Sequence, residues 1–187
     1  TLLPDSLSAS QKVRAIHAFT MAEIRYEQDY ENTIAGVKPH AAPVVLERRY
    51  GDCKDKAVLF ITMARMVGIE ARFAILRTTR KGAVQREVPF QQFDHAIVYV
   101  PAQAGVEGRF YDPTADMLDL DAVRSDDVGA DALVYEPLTG AYEWVPIPYQ
   151  GPDANRSRVH VNLAIDKVGS AKGALAMQAV GQQGSAL

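Results

Sequence analysis

A chain of 187 residues, 48% apolar and 23% charged, has the composition of an ordinary globular protein, with room for one good-sized core and part of a second unit. Its formal charge of −3 at pH 7 argues against a nucleic-acid surface, and no apolar run reaches the length of a membrane span. A single cysteine excludes an intrachain disulfide and any multi-cysteine zinc site.

In chain order, Ser8-Ala9-Ser10 offers caps for a first helix carrying Val13, Ile16, Phe19 and Ile24 along one face. Residues 30–43 read as a loop broken by Gly36, Pro39 and Pro43, and a short helix is expected from Val44 to Arg49, ending at Gly51. Cys53 then opens a longer helix. Ala57, Phe60, Ile61, Ala64 and Val67 form its buried stripe, and Gly68 closes it as a left-handed residue. The two alanines on that stripe leave room for the close approach of a sheet.

Beyond Gly68 the period changes from helix to strand. Strands are expected over Glu70–Thr78, Phe93–Val100, Arg109–Asp112, Leu133–Glu136 and Tyr142–Ile147, the last two joined by a turn over Pro137–Gly140. Helices followed by antiparallel strands give an α+β order, with the cysteine-bearing helix packed on the sheet. Pro148 to Pro152 marks a boundary between a core at 1–150 and a tail at 151–187. In the tail, Val159, Val161, Leu163 and Ile165 alternate, and a return strand is expected over Ala174–Val180. So short a hairpin cannot bury a core of its own, so it is either an extra edge for the sheet or, the favoured reading, the beginning of a truncated β-rich domain. A chain that opens at Thr1 without a signal peptide reads as a piece of a larger protein, and its compartment stays open.

The chemistry centres on Tyr50-Gly51-Asp52-Cys53-Lys54-Asp55-Lys56-Ala57. The first amides of a helix lack partners and carry partial positive charge, which favours a thiolate, the nucleophilic form of cysteine. Asp52 is the expected N-cap, and Asp55 three residues on completes an aspartate version of the capping box. Lys54, Lys56, Arg48 and Arg49 crowd the motif, either favouring thiolate or forming a solvated basic face that Asp52, Asp55 and Glu47 partly neutralise. A buried free cysteine can equally be a small apolar filler, so a base must be found.

Of four histidines, His17 fits the first helix as a surface or half-buried residue, His40 a Pro-flanked loop and His160 the tail. His95 stands near the start of the strong strand Phe93-Asp94-His95-Ala96-Ile97-Val98-Tyr99-Val100. If Pro101 pairs with Val106 across a four-residue loop, His95 lies opposite Asp112, close enough for the carboxylate to hold one ring nitrogen and leave the other to the thiol. Asp94 and Asp116 compete for that role, and Asp112 can also serve as the turn residue before Pro113.

Together, Gly51-Asp52-Cys53-Lys54-Asp55-Lys56-Ala57, Phe93-Asp94-His95-Ala96 and Tyr111-Asp112-Pro113-Thr114 resemble the transglutaminase-like superfamily of bacterial papain-fold proteins. The resemblance covers roughly residues 20–115, including the 39–46 stretch and the Val67-Gly68-Ile69-Glu70-Ala71 helix exit. It implies a Cys53–His95–Asp112 triad, thiol acyl transfer without metal or cofactor, and a protein or peptide substrate. It also implies a setting in exported or membrane-attached proteins, where an N-terminal β-sandwich and a further β-rich region flank this core. The Cys53 amide is a natural oxyanion donor, and Tyr26 or Tyr30 can supply a second. The family's usual oxyanion tryptophan has no match there, because Trp144, the single tryptophan, lies far downstream.

Hydrolysis by a peptidase or amidase leads, because water is the default acceptor. A crosslinking transglutaminase shares the same chemistry. A non-catalytic papain-like scaffold or binding module is the rival from another class. No His-x-x-x-His pair or clustered ligand set points to a metal hydrolase. Substrate choice would lie in loops such as Arg77–Pro89 and Ala115–Ala132.

Overall fold

The computed structural model describes residues 4, 6–28, 37–88, 90–115, 120–149 and 151–181. Helix α1 runs Ala9–Ala22 from an N-cap at Ser8. The Ser8 hydroxyl accepts from the Gln11 amide (3.2 Å) and the Gln11 side chain accepts from the Ser8 amide (2.9 Å), a complete capping box. Val13 and Ile16 are buried on its inner face. Strand β1, Arg25–Tyr26, follows, and after the described chain resumes comes α2, Ala42–Arg48. Helix α2 starts two residues earlier than the sequence reading, because Pro43 sits in its first turn, where no amide is needed, rather than breaking the chain. Arg49 ends it in the left-handed region (φ 60°).

The segment after α2 is not a simple loop. Tyr50–Gly51 forms β2, paired in parallel with β1 so that Tyr26 lies opposite Gly51. Helix α3, Cys53–Met66, begins at the thiol and gives way at Gly68, whose φ of 77° is the left-handed conformation a glycine adopts freely. Ala57, Phe60 and Ala64 are fully buried, and removing a phenylalanine of this kind from water contributes roughly 1.5–3 kcal/mol.

Strands β3 (Arg72–Leu76), β4 (His95–Val100), β5 (Arg109–Tyr111), β6 (Asp131–Glu136) and β7 (Ala141–Pro146) build one antiparallel sheet in the order β5-β4-β3-β6-β7. Val98, Val100 and Tyr111 join the core shared with α1 and α3, while Leu76, Ile97, Phe110, Val134 and Ile147 form a second core on the opposite face. Helix on sheet, with both sheet faces covered, is the expected α+β arrangement. The long pair β8 (Arg156–Ile165) and β9 (Ala171–Val180) makes a separate two-stranded sheet.

Candidate active site

Cys53 is the first residue of α3, partly exposed, and preceded by Asp52, whose carboxylate accepts weakly from the Asp55 amide at 3.4 Å. Only this half of the expected capping box forms. Asp55 turns away from the helix start and accepts from the His40 amide (2.7 Å), facing His40 Nδ1 at 3.0 Å. It therefore ties the segment before α2 to the cysteine helix. Gly51 is needed at this crossing, since a Cβ there would come within 2.7 Å of the Asp55 Cβ.

His95 opens β4, and Asp112 follows the last residue of β5. The ladder pairs Val98 with Tyr111 and Val100 with Arg109, and Gln103 bridges to Val106, so the register lies two residues from the one that puts His95 directly opposite Asp112. The cause is a tighter turn, made possible by the left-handed Gly105 (φ 75°). A slip of two residues, unlike a slip of one, keeps every side chain on its original face. His95 and Asp112 are therefore diagonal neighbours, and His95 Nε2 lies 3.1 Å from Asp112 Oδ2, where it donates to the carboxylate. Nδ1 is left over for the Cys53 side, and the Cys53 thiol is one of the groups that raise the pKa of the ring.

The carboxylate is held from behind. The Thr114 amide (2.9 Å) and hydroxyl (2.7 Å) both donate to Asp112 Oδ1. His17 Nε2 donates to the Asp112 carbonyl at 3.1 Å. His17 is buried rather than on the surface, and burial pushes its pKa down, which suits a neutral donor.

These contacts set the charges. Burial alone would drive the His95 pKa down, but the hydrogen bonds to Asp112 and Cys53 and the charges of Asp112 and Asp127 lift it to about 10. Burial would raise Asp112, yet the His95 hydrogen bond and charge, with the Thr114 donors, take it to about 2. At neutral pH the ring is an imidazolium beside a carboxylate, with the Cys53 sulfur on its other side.

The sequence model of the Transglutaminase-like superfamily matches residues 3–147. The chain belongs to the transglutaminase-like superfamily. A comparison with curated protein sequences finds no match. Among solved structures, calcium-bound LapG of Legionella pneumophila is 13% identical, with 67% of this chain and 64% of that chain covered and a TM-score of 0.48. A second LapG structure gives 13%, 67%, 64% and 0.47. A proposed cysteine protease from Cytophaga hutchinsonii is 19% identical over 91% of this chain and 44% of that chain, with a TM-score of 0.41. The chain thus spans less than two thirds of the length of these structures.

Within this transglutaminase-like core the other singled-out residues fall into place. Tyr26 is half-buried near Cys53; burial and then the Cys53 charge raise its hydroxyl pKa, so it remains a donor, and it also meets the Gln28 side chain. Tyr30 and Asp116 lie outside the described residues. Asp94 is engaged elsewhere, accepting from the Thr78 amide (2.7 Å) and hydroxyl (2.8 Å). Trp144 sits on β7 against Phe93 and Arg86.

The basic residues around the motif divide: Arg48 and Arg49 are exposed, as a solvated basic face requires, while the two lysines are buried. Lys54 is buried and paired with Asp52. Lys56, fully buried, donates to the Ile24 carbonyl at 2.6 Å and so fixes the segment leading into β1. Arg48 lies over the Tyr50 ring and Arg49 over Phe19. Both lysines sit on a helix whose cysteine end is packed into the fold, a burial that charge alone does not signal.

Sequence reasoning also missed the segment after Ala122. Arg124 lies 3.8 Å from Asp112 Oδ2 and is bound in a fork by Asp126 (3.0 and 2.8 Å), and Asp127 Oδ2 lies 3.9 Å from His95 Nε2. His95, Asp112 and Asp127 offer ligand atoms within 4.8 Å of one another, a cluster that the linear spacing did not reveal. Arg124 and the His95 imidazolium already supply positive charge there, which disfavours a further cation, and we assign no metal to it.

Proposed function

We propose that the protein is a cysteine-dependent acyl-transfer enzyme acting on peptide or carboxamide bonds of a protein or peptide substrate. The observation that supports this reading is the 3.1 Å His95–Asp112 hydrogen bond, with the Cys53 thiol at a helix start acting on the same ring, in a transglutaminase-like chain. Thiolate Cys53 attacks the carbonyl carbon. The oxyanion is stabilised by the Cys53 amide at the helix N-terminus and by the Tyr26 hydroxyl. The C–N bond breaks as imidazolium His95 gives its proton to the leaving amine, leaving a thioester. Neutral His95 then takes a proton from the acceptor, which attacks the thioester and releases the thiolate. Asp112 holds the ring in the tautomer that presents Nδ1 to sulfur and stabilises the imidazolium.

Water as acceptor gives a peptidase or amidase, and a lysine amine gives a crosslink. Hydrolysis leads, because water is present at any open site. Residues 1–150 form the acting unit in this reading, with 151–187 opening a further β-rich domain, and the family resemblance favours an exported or membrane-attached setting. Among the described residues no helix is long and apolar enough to cross a membrane.

The test is incubation with an activated ester followed by mass spectrometry of the Cys53 peptide, with and without an added primary amine. An acyl adduct on Cys53 that turns over in wild type and fails to form in His95→Ala is the expected result. No adduct in wild type, or an equal adduct in the variant, would sink the proposal.

A further inference from the structure

Asp127 is a buried carboxylate beside His95 to which the acyl-transfer scheme gives no part. It is fully buried in the turn after Arg124, with its amide donating to the Arg124 carbonyl (3.0 Å) and its carbonyl accepting from the Ala130 amide (2.9 Å). The backbone therefore fixes where the side chain sits. Counted as a carboxylate, neither of its side-chain oxygens has a hydrogen-bond partner among the described residues. An ionised carboxylate in that position would be desolvated and undonated, one of the least favourable states a side chain can occupy.

The surroundings point to how this is relieved. His95 from β4, Asp112 from the end of β5 and Arg124 from its own turn are the charged groups that face Asp127, with the Cys53 thiol beyond the ring. Arg124 is already committed to Asp126, and Asp112 Oδ2 already accepts from His95. Two buried carboxylates whose oxygens lie within 4.8 Å cannot both ionise without strong repulsion, and one proton placed between them turns two facing acceptors into donor and acceptor.

We propose that Asp127 is a positioning residue for the thiol chemistry: its carboxyl, held as the neutral acid, donates to the Asp112 carboxylate and fixes that group against the His95 ring. Burial first, and then the Asp112 charge, lift the Asp127 pKa to about 8 against the opposing pull of His95 and Arg124, so the proton is present at neutral pH. As a neutral group it adds a hydrogen bond without a second anion, and Asp112 remains the single negative charge beside the imidazolium. The inference rests on the Cys53–His95–Asp112 reading for its catalytic meaning, but not for the protonation itself.

Two measurements on the full chain test it. Infrared difference spectra of wild type against Asp127→Asn should show the carbonyl band of a protonated carboxylic acid at pH 6, absent in the variant and fading in wild type as the pH passes about 8. Iodoacetamide alkylation of Cys53 at pH 7 should be within about twofold of wild type in Asp127→Asn, which keeps a donor, and about fivefold slower in Asp127→Ala, the size expected for one lost hydrogen bond. Thermal melts report whether each variant is folded, and if the alanine variant is not, the infrared band and the asparagine rate decide. No band at pH 6, a band that survives Asp127→Asn, or a folded Asp127→Ala as fast as wild type would overturn the proposal. If His95→Ala alkylates as fast as wild type, the acyl-transfer reading fails, while the band still reports on Asp127.

Discussion

The β4–β5 edge of the core and the β8–β9 hairpin are both antiparallel ladders, and they differ in almost everything else. The hairpin is the more regular: it pairs ten residues on each strand from Arg156↔Val180 to Ile165↔Ala171 without interruption. Yet residues 156–178 are all exposed, including Val161, Leu163, Leu175 and Ile165 on its apolar face. The β4–β5 pair has three ladder partners and an irregular end, but both of its faces are covered and every residue of β4 except Tyr99 is buried. A backbone ladder alone contributes little net free energy, because unfolded amides bond to water; burial makes the difference. Burial also creates chemistry. His95 and Asp112 depart far from their ordinary protonation because low-dielectric surroundings make each charge depend on a fixed partner.

The largest effect that sharpens this contrast should come from Lys56. Removing it in Lys56→Ala leaves the Ile24 carbonyl without its donor and a cavity in a fully buried site, an expected loss of about 2–4 kcal/mol by chemical denaturation. A loss under about 0.5 kcal/mol, the size expected of surface substitutions, would mean the core is no more demanding than the hairpin. Next, Asp112→Ala should slow Cys53 alkylation at pH 7 about tenfold in a folded protein, since the imidazolium loses its principal partner. Asp94→Ala, which frees only Thr78, should leave the rate near wild type. An effect of Asp94→Ala equal to that of Asp112→Ala would break the assignment.

Stability should depend on pH through the same buried groups. The folded chain holds the His95 proton more tightly than the ordinary value of 6.5, so this contribution is complete below pH 6.5 and lost as pH rises toward about 10. Asp127 acts in the same direction: its contribution is complete below its ordinary 3.8 and lost as pH rises toward about 8. Asp112 works oppositely, contributing above 3.8 and losing that contribution as pH falls toward about 2. Thermal melts should therefore show the midpoint falling between pH 7 and 9, by less in Asp127→Asn; a rising midpoint would contradict the assigned charges. The smallest effect belongs to the hairpin. Removing residues after Pro152 should leave the core transition and thiol reactivity unchanged, and loss of folding would make the tail part of the core.

What was legible in the sequence follows the range of the forces involved. The start of α3 at Cys53 and its end at Gly68 rest on local signals, a cap before and a glycine after, and both are where those signals put them. The alternation of Val159, Val161, Leu163 and Ile165 likewise marked a real strand, while its exposure depends on packing that no local pattern carries. The β4–β5 register needed the turn geometry at Gly105, and a two-residue difference was harmless only because side-chain direction has period two. Lys56 and Asp127 were invisible for a deeper reason: both are charged residue types in buried places, and only the assembled fold brings Ile24 to one and Asp112 to the other.

The central claim is that His95 holds the Cys53 sulfur in its reactive form. It is tested most directly by the alkylation rate of Cys53 in wild type and His95→Ala from pH 5.5 to 9. Because His95 keeps its proton up to about pH 10, the account predicts at least a roughly tenfold advantage for wild type at pH 6, narrowing as pH approaches 9. Two superimposable profiles would contradict it.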